Sequence, residues 1–138
     1  EIMKLDPEVR TFQNASPLLV PIIEAGEHRS KKVDKILRAY LKPLLKKHID
    51  TLILGCTHYG ILEKNIRRIV GPDISIVSEE RVVPEKLRQY LNRHPKTEQK
   101  LGKSGKRTFY TTREVSTFRK LGSTFFGAAI KPRKARLE

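Results

Sequence analysis

At 138 residues the chain has the length of one domain and can bury a core. Its 29 Lys+Arg against 15 Asp+Glu leave a net charge of +14, which favours anionic partners, and its single cysteine excludes an internal disulfide. No run approaches the ~20 apolar residues of a membrane span or has the form of a secretory leader, so a cytoplasmic location without a membrane partner is expected.

In chain order, Glu1 to Leu5 reads as the end of a helix closed by Asp6-Pro7, and residues 9–13 as a short strand. Residues 14–26 hold two prolines among apolar residues, which disfavours a central strand and predicts a loop leading into a short helix. Glu24 follows that apolar run. Taken alone, it is a solvated helix-end carboxylate. Ser30 is placed to cap a helix whose apolar stripe is Val33, Ile36, Leu37, Tyr40, Leu41, Leu44 and Leu45. Pro43 falls inside that stripe and predicts a kink or a break, and His48 at the end carries no chemistry.

Residues 49–62 organise the rest. A short apolar segment over 50–54 reads as a buried strand, Gly55 and Cys56 follow where it ends, and Ile61, Leu62, Ile66, Ile69 and Val70 recur at helical spacing beyond Gly60. The thiol therefore lies in a turn at the carboxyl end of a strand, the place where parallel α/β sheets bind ligands. Gly71-Pro72 stops the helix, residues 74–77 form the next strand, and Ser78 with Glu79 and Glu80 opens a helix that tolerates Pro84 near its start. Residues 94–107 lose apolar periodicity and read as a basic, flexible connector. A strand over 108–111 follows, then a helix capped by Thr112 with Val115, Phe118, Leu121, Phe125 and Phe126 on its apolar face, and a disordered basic tail over 131–138. Four strands alternating with helices predict an α/β fold with a largely parallel sheet, entered in mid-fold.

Cys56 admits more than one reading. A buried structural cysteine is the bland one. Against it stand the preceding glycine, a following helix whose amides and dipole stabilise a thiolate, and Thr57 and His58 alongside. Zinc needs about four ligands and Cys56-Thr57-His58 offers at most two, with His28, His48 and His94 scattered, so no metal is expected. Gly102-Lys103-Ser104 has the ending of a phosphate loop, but Thr97 stands where the required glycine belongs.

The run Gly55-Cys56-Thr57-His58-Tyr59, preceded by Asp50-Thr51-Leu52-Ile53-Leu54, resembles the second catalytic motif of bacterial glutamate racemases. Residues 16–24 resemble the family's proline-flanked segment ending in a glutamate, Tyr40-Leu41-Lys42-Pro43-Leu44 its helix before the motif, and Phe109-Tyr110-Thr111-Thr112 with Phe118 and Phe126 its last strand and helix. The resemblance spans Val9 to Gly127. It implies a three-layer, parallel-sheet α/β fold, present here as the C-terminal half: residues 1–78 most of the second domain, and 79–138 a return segment completing the first.

It also implies cofactor-independent interconversion of L- and D-glutamate, supplying D-glutamate for peptidoglycan. Inverting an α-carbon takes an acid/base group on each face. By resemblance Cys56 is one of two thiols, Thr57 and His58 bind substrate, and His58 with Glu24 tunes or orients the thiol. The other thiol belongs to the family's N-terminal half. Gly60 stands where the family usually has proline, Ser16 where it often has cysteine, and Val77 where an aspartate is common. The positive charge does not follow from racemase chemistry. A nucleic-acid partner is the alternative it raises, disfavoured because the connector holds no aromatic to stack on bases. The apolar face of the 112–126 helix, lacking its sheet, predicts self-association into a homo-oligomer.

Overall fold

Short apolar runs separated by amphipathic stripes fold here into two strand–helix–strand units. The structure, a computed structural model, describes residues 1–137 and divides the chain into Glu1–Glu85 and Lys86–Glu138.

In the first unit, α1 (Ile2–Leu5), α2 (Leu19–Glu24) and α3 (Lys31–Leu45) precede β1 (Thr51–Ile53). A 3-10 turn (Thr57–Leu62) and α4 (Glu63–Val70) cross over to β2 (Ser75–Val77), which pairs with β1 in parallel, Leu52 opposite Ile76. Leu54 N–H donating to Val77 O at 2.9 Å and Ser75 N–H to Asp50 O at 2.8 Å extend the ladder at each end. The period of two sorts the strands' side chains: Leu52 and Ile76 are buried, while Ile53 and Val77 on the other face are exposed. The buried face meets Leu19, Ile22 and Ile23 of α2, Val33, Leu37 and Leu41 of α3, and Leu62 and Ile66.

Residues 9–13, expected as a strand, run as irregular chain with Val9 and Phe12 exposed, because β1 is hydrogen-bonded only to β2 among the described strands. Nor does Pro43 break α3. It falls two residues from the end, where it forfeits one hydrogen bond while the buried stripe of Val33, Leu37 and Leu41 holds the helix. Ser30 occupies the N-cap position with extended backbone, yet its side chain caps nothing and its hydroxyl is buried without a partner. The chain leaves the helix through His48, whose φ of 52° is left-handed.

Polar ties fix α4. Asp34 of α3 accepts from Asn65 Nδ2 at Oδ1 at 2.8 Å, and Arg68 Nη2 donates to both of its carboxylate oxygens, at 2.9 Å to Oδ1 and 2.7 Å to Oδ2. The Asn65 hydrogen bond, followed by the Arg68 charge, holds the Asp34 carboxyl below its ordinary range against the opposing effect of desolvation. Arg67 reaches back to Gly71 O at 2.8 Å and Ile74 O at 2.5 Å, closing the turn into β2. Ser78, 1% exposed, donates to Glu63 Oε2 at 2.5 Å, and Arg81 donates to Oε1 at 3.2 Å. The Ser78 bond is the chief reason the Glu63 carboxyl is lowered, with Arg81 adding to it.

Both lowered carboxylates stabilise the fold above the ordinary carboxylate range, and that contribution is lost as pH falls through their lowered values. Ser78→Ala is expected to cost about 1–3 kcal/mol at neutral pH by leaving the Glu63 oxygen short of its donor. Its unfolding free energy should also fall less on acidification than that of the parent chain. Parallel acid dependences in denaturant titrations would exclude the Ser78–Glu63 bond as the cause.

Helix α5 (Glu79–Arg93) opens directly after Ser78 and continues through Pro84. The second unit adds α6 (Pro95–Glu98), β3 (Tyr110–Thr111), α7 (Val115–Phe126) and β4 (Arg133–Lys134), with β3 and β4 parallel. The basic connector over 94–107 thus contains a helical turn, opened by Pro95 at its first position. The tail expected as disorder over 131–138 is structured at Arg133–Lys134, where Arg133 N–H donates to Phe109 O and Ala135 N–H to Thr111 O, both at 2.9 Å; Glu138 lies outside the described residues. Helix α7 is capped by Glu114, which accepts from Ser116 N–H, and Thr112 is not its cap. It buries no residue along its length, and Phe118 and Phe126 are exposed.

Candidate active site

Strand β1 delivers its chain into Gly55 and Cys56, and the 3-10 turn that follows projects the next side chains beside the thiol. Cys56 is extended (φ −152°, ψ 134°), caps that turn, and accepts Tyr59 N–H at its carbonyl at 2.9 Å. Its half-buried Sγ lies 3.8 Å from His58 Nδ1. On the other side of the ring, His58 Nε2 lies 3.3 Å from Glu24 Oε1, 34 residues earlier in the chain. Glu24 ends α2, whose buried Ile22 and Ile23 seat that helix in the core next to the turn. The three residues thus form one file, carboxylate to imidazole to thiol.

The geometry is two-sided. When Glu24 accepts the Nε2 proton, a neutral His58 presents the Nδ1 lone pair to the thiol; when both ring nitrogens are protonated, the imidazolium faces a thiolate. Either form keeps a proton between the imidazole and sulfur, and the imidazolium form adds a counter-charge to the thiolate. The file is open to solvent: the His58 side chain is 34% exposed and that of Glu24 54%. Thr57 occupies the first position of the turn and is exposed.

Tyr59 is the member of this turn to which the sequence reading gave no role. Its hydroxyl donates to Ser16 O at 3.3 Å, tying the proline-flanked segment to the turn. Burial, then the neighbouring Cys56 charge, pushes its hydroxyl above the ordinary tyrosine value, so it stays a donor at neutral pH. Tyr59, Ser16 and Gly55 line a cavity of about 840 Å³ that extends to Phe12 and Tyr40, whereas Cys56, His58 and Glu24 do not line it. The thiol file therefore belongs to the surface of this unit, and the cavity to its flank.

Gly60 gives room to Glu80. A β-carbon at Gly60 would meet the Glu80 carboxylate, so the space a proline ring would need is occupied. The obstructing atoms are the far end of a flexible side chain, and Gly60 needs no left-handed backbone. Gly60→Ala should therefore shift thermal stability by no more than about 0.5 kcal/mol as Glu80 rotates away. A loss of several times that would mean that Glu80 is fixed in place. Nothing in the sequence signals this contact, since the two residues lie on separate elements.

Among the described residues, no three of His, Cys, Asp or Glu gather in a way that could hold a metal ion. Nor is any helix among them long and apolar enough to cross a membrane.

No family model matches the chain. Individual proteins do. The glutamate racemase of Syntrophus aciditrophicus (strain SB) is 33% identical over 130 residues, which is 94% of this chain and 47% of that protein. That of Streptococcus mutans is 33% identical over 131 residues, 95% of this chain and 49% of that protein. In three dimensions, a glutamate racemase isoform from Bacillus anthracis superposes with a TM-score of 0.83 at 30% identity, covering 99% of this chain and 50% of its own. The chain belongs to the glutamate racemase family. A second solved member, the Francisella tularensis glutamate racemase in complex with D-glutamate, matches with a TM-score of 0.79 at 26% identity, again over 99% of this chain and 50% of that one. The chain spans about half the length of the glutamate racemases it matches. Its α/β architecture is the racemase one, resolved into two parallel pairs with a helical crossover each.

Proposed function

We propose that this chain supplies one face of a glutamate racemase active site, with Cys56 as the proton carrier of that face. The observation that carries the reading is the file Glu24–His58–Cys56 at the carboxyl end of β1. A thiol able to lose and regain a proton beside an oriented imidazole is what abstraction from a weakly acidic α-carbon requires. His58 orients the thiol and holds its counter-charge, Glu24 fixes the ring, and Thr57 with His58 binds the substrate. The substrate is glutamate: the relatives are glutamate racemases, and the Francisella neighbour was solved with D-glutamate.

A two-thiol mechanism needs a second cysteine on the opposite face, and these 138 residues hold only Cys56. The second thiol comes from the N-terminal half of the racemase fold, with residues 1–78 forming most of the second domain and 79–138 returning to complete the first. No cofactor takes part, because the two thiols exchange protons with the α-carbon directly. The product D-glutamate feeds peptidoglycan synthesis in the cytoplasm. The exposed apolar face of α7, with Phe118 and Phe126 uncovered, supports association either with that half or with a second copy.

The test is interconversion of glutamate enantiomers followed by circular dichroism, with deuterium uptake from solvent at the α-carbon as the sensitive probe. The 138 residues alone should show neither. Joined to an N-terminal half carrying the second thiol, they should show both. Rapid racemisation by the isolated chain would overturn the two-thiol assignment.

A further inference from the structure

Two neighbouring side chains of the Cys56 turn grip the same short helix at opposite ends. His58 Nε2 meets Glu24, the last residue of α2, at 3.3 Å. Tyr59, the next residue, donates its hydroxyl to Ser16 O, also at 3.3 Å, in the lead-in just before α2 begins at Leu19. Ser16 O accepts from Leu19 N–H as well, at 3.2 Å, so the carbonyl that Tyr59 holds is bonded to the first residue of the helix. Helix α2 has six residues and is about 9 Å long, which places its two ends within reach of consecutive residues of one turn.

Both ties are long for hydrogen bonds, so neither fixes the helix by itself. Leu19, Ile22 and Ile23 press α2 onto the core, but apolar contact has no direction and does not decide where Glu24 points. Tyr40 fastens the same lead-in to α3, accepting Leu18 N–H at its hydroxyl at 3.4 Å and Asn14 Nδ2 at its carbonyl at 2.7 Å. Tyr59 joins it instead to the turn that carries His58. Burial, then the Cys56 charge, keeps the Tyr59 hydroxyl protonated at neutral pH, as a permanent donor must be.

We propose that Tyr59 is a positioning residue of the thiol file: by tying the lead-in of α2 to the turn, it sets the approach of Glu24 to His58 and, through that ring, the readiness of Cys56 to give up its proton. Its hydroxyl is engaged by Ser16 O, so its effect on sulfur passes through Glu24 and the imidazole. The inference rests on the reading of Cys56 as a proton carrier, yet its test needs no racemisation, so the two fail in different experiments.

The test is the rate at which iodoacetamide alkylates Cys56 of the full chain near neutral pH, measured across a double-mutant cycle. Tyr59→Phe keeps the ring and its packing and removes the donor, and it should slow alkylation by about two- to tenfold, the effect of one lost hydrogen bond. Glu24→Ala, at an exposed helix end, should slow it at least as much. In the Glu24→Ala background Tyr59→Phe should have no further effect, because the group it positions is gone. Nitrogen NMR of the His58 ring, assigned by the signals lost in His58→Gln, should place the proton on Nε2 in the parent chain. In both single variants the ring should drift toward the tautomer mixture of a free imidazole, a change that loss of packing alone would not produce. Tyr40→Phe, which loosens the lead-in from α3 and leaves it tied to the turn, should keep both readouts at their parent values. Unchanged alkylation in Tyr59→Phe, effects of Tyr59→Phe and Glu24→Ala that simply add, an unmoved His58 tautomer, or equal slowing by Tyr40→Phe would each overturn the proposal.

Discussion

Cys56→Ser, made in the chain joined to a racemase N-terminal half, is expected to lower glutamate racemisation by more than about 10³-fold, because in the proposed mechanism it removes the acid/base group from one face of the α-carbon. A serine hydroxyl at that position is too weakly acidic to be ionised near neutral pH without strong activation. The hydroxyl would still sit beside His58 and the turn would still fold, so the loss would be chemical and not structural. Deuterium wash-in from both enantiomers should separate the two faces, with exchange surviving only from the enantiomer served by the other thiol. His58→Ala should reduce the rate by a smaller factor, about 10- to 100-fold, since on the proposed roles it removes the group that orients the thiol and leaves the proton carrier. Unchanged turnover of Cys56→Ser would remove Cys56 from the mechanism.

Ile23→Ala is expected to have the largest effect on stability, about 2–5 kcal/mol, because Ile23 is fully buried where α2 meets the core and the side chain lost leaves a cavity. That is a large part of the ~5–15 kcal/mol that holds an ordinary domain together. The damage should extend to chemistry. Glu24 is the next residue, and its approach to His58 depends on α2 keeping its seat, so activity in the joined protein should fall even where the variant remains folded. Ile53→Ala is the control: the same helix-facing sheet carries it on the opposite, exposed face, and its cost should stay within about 1 kcal/mol. Equal destabilisation by the two substitutions, measured by urea titration, would mean that the face carrying Ile53 is covered in solution.

The sequence made the first unit legible because its signals are local and agree with one another. The Val33, Leu37 and Leu41 stripe, the apolar 50–54 run and Gly71-Pro72 each specify an element and its end, and α3, β1 and α4 fall there. Residues 9–13 misled for a physical reason: a short segment with Val9, Thr11 and Phe12 makes a strand only where a neighbour supplies hydrogen bonds, and β1 is bonded only to β2 among the described strands. The basic tail misled in the opposite direction, since its composition reads as solvent-exposed chain while backbone pairing to Phe109 and Thr111 orders Arg133 and Lys134. In the site, the adjacency of Cys56 and His58 is written in consecutive residues. Glu24 joining them was expected only through a family resemblance, because no spacing rule links a carboxylate to an imidazole 34 residues away. The Glu80 contact with Gly60 and the Ser78–Glu63 bond were not legible at all, being products of packing between elements.

The parallel pairs described above also set the order in which this chain comes apart. Thr51 pairs with Ser75 and Tyr110 with Arg133, so the two crossovers close loops of nearly equal length and lose nearly equal chain entropy in doing so. What differs is the return on closure. The first crossover closes onto a core of eleven buried apolar side chains, six of them from α2 and α3, while the second buries Ile130 and no residue of α7. Amide protons of β3 and β4 should thus exchange through a frequent, sub-global opening while β1 and β2 still hold, which makes the basic unit the part of the molecule whose order a bound partner can most easily change.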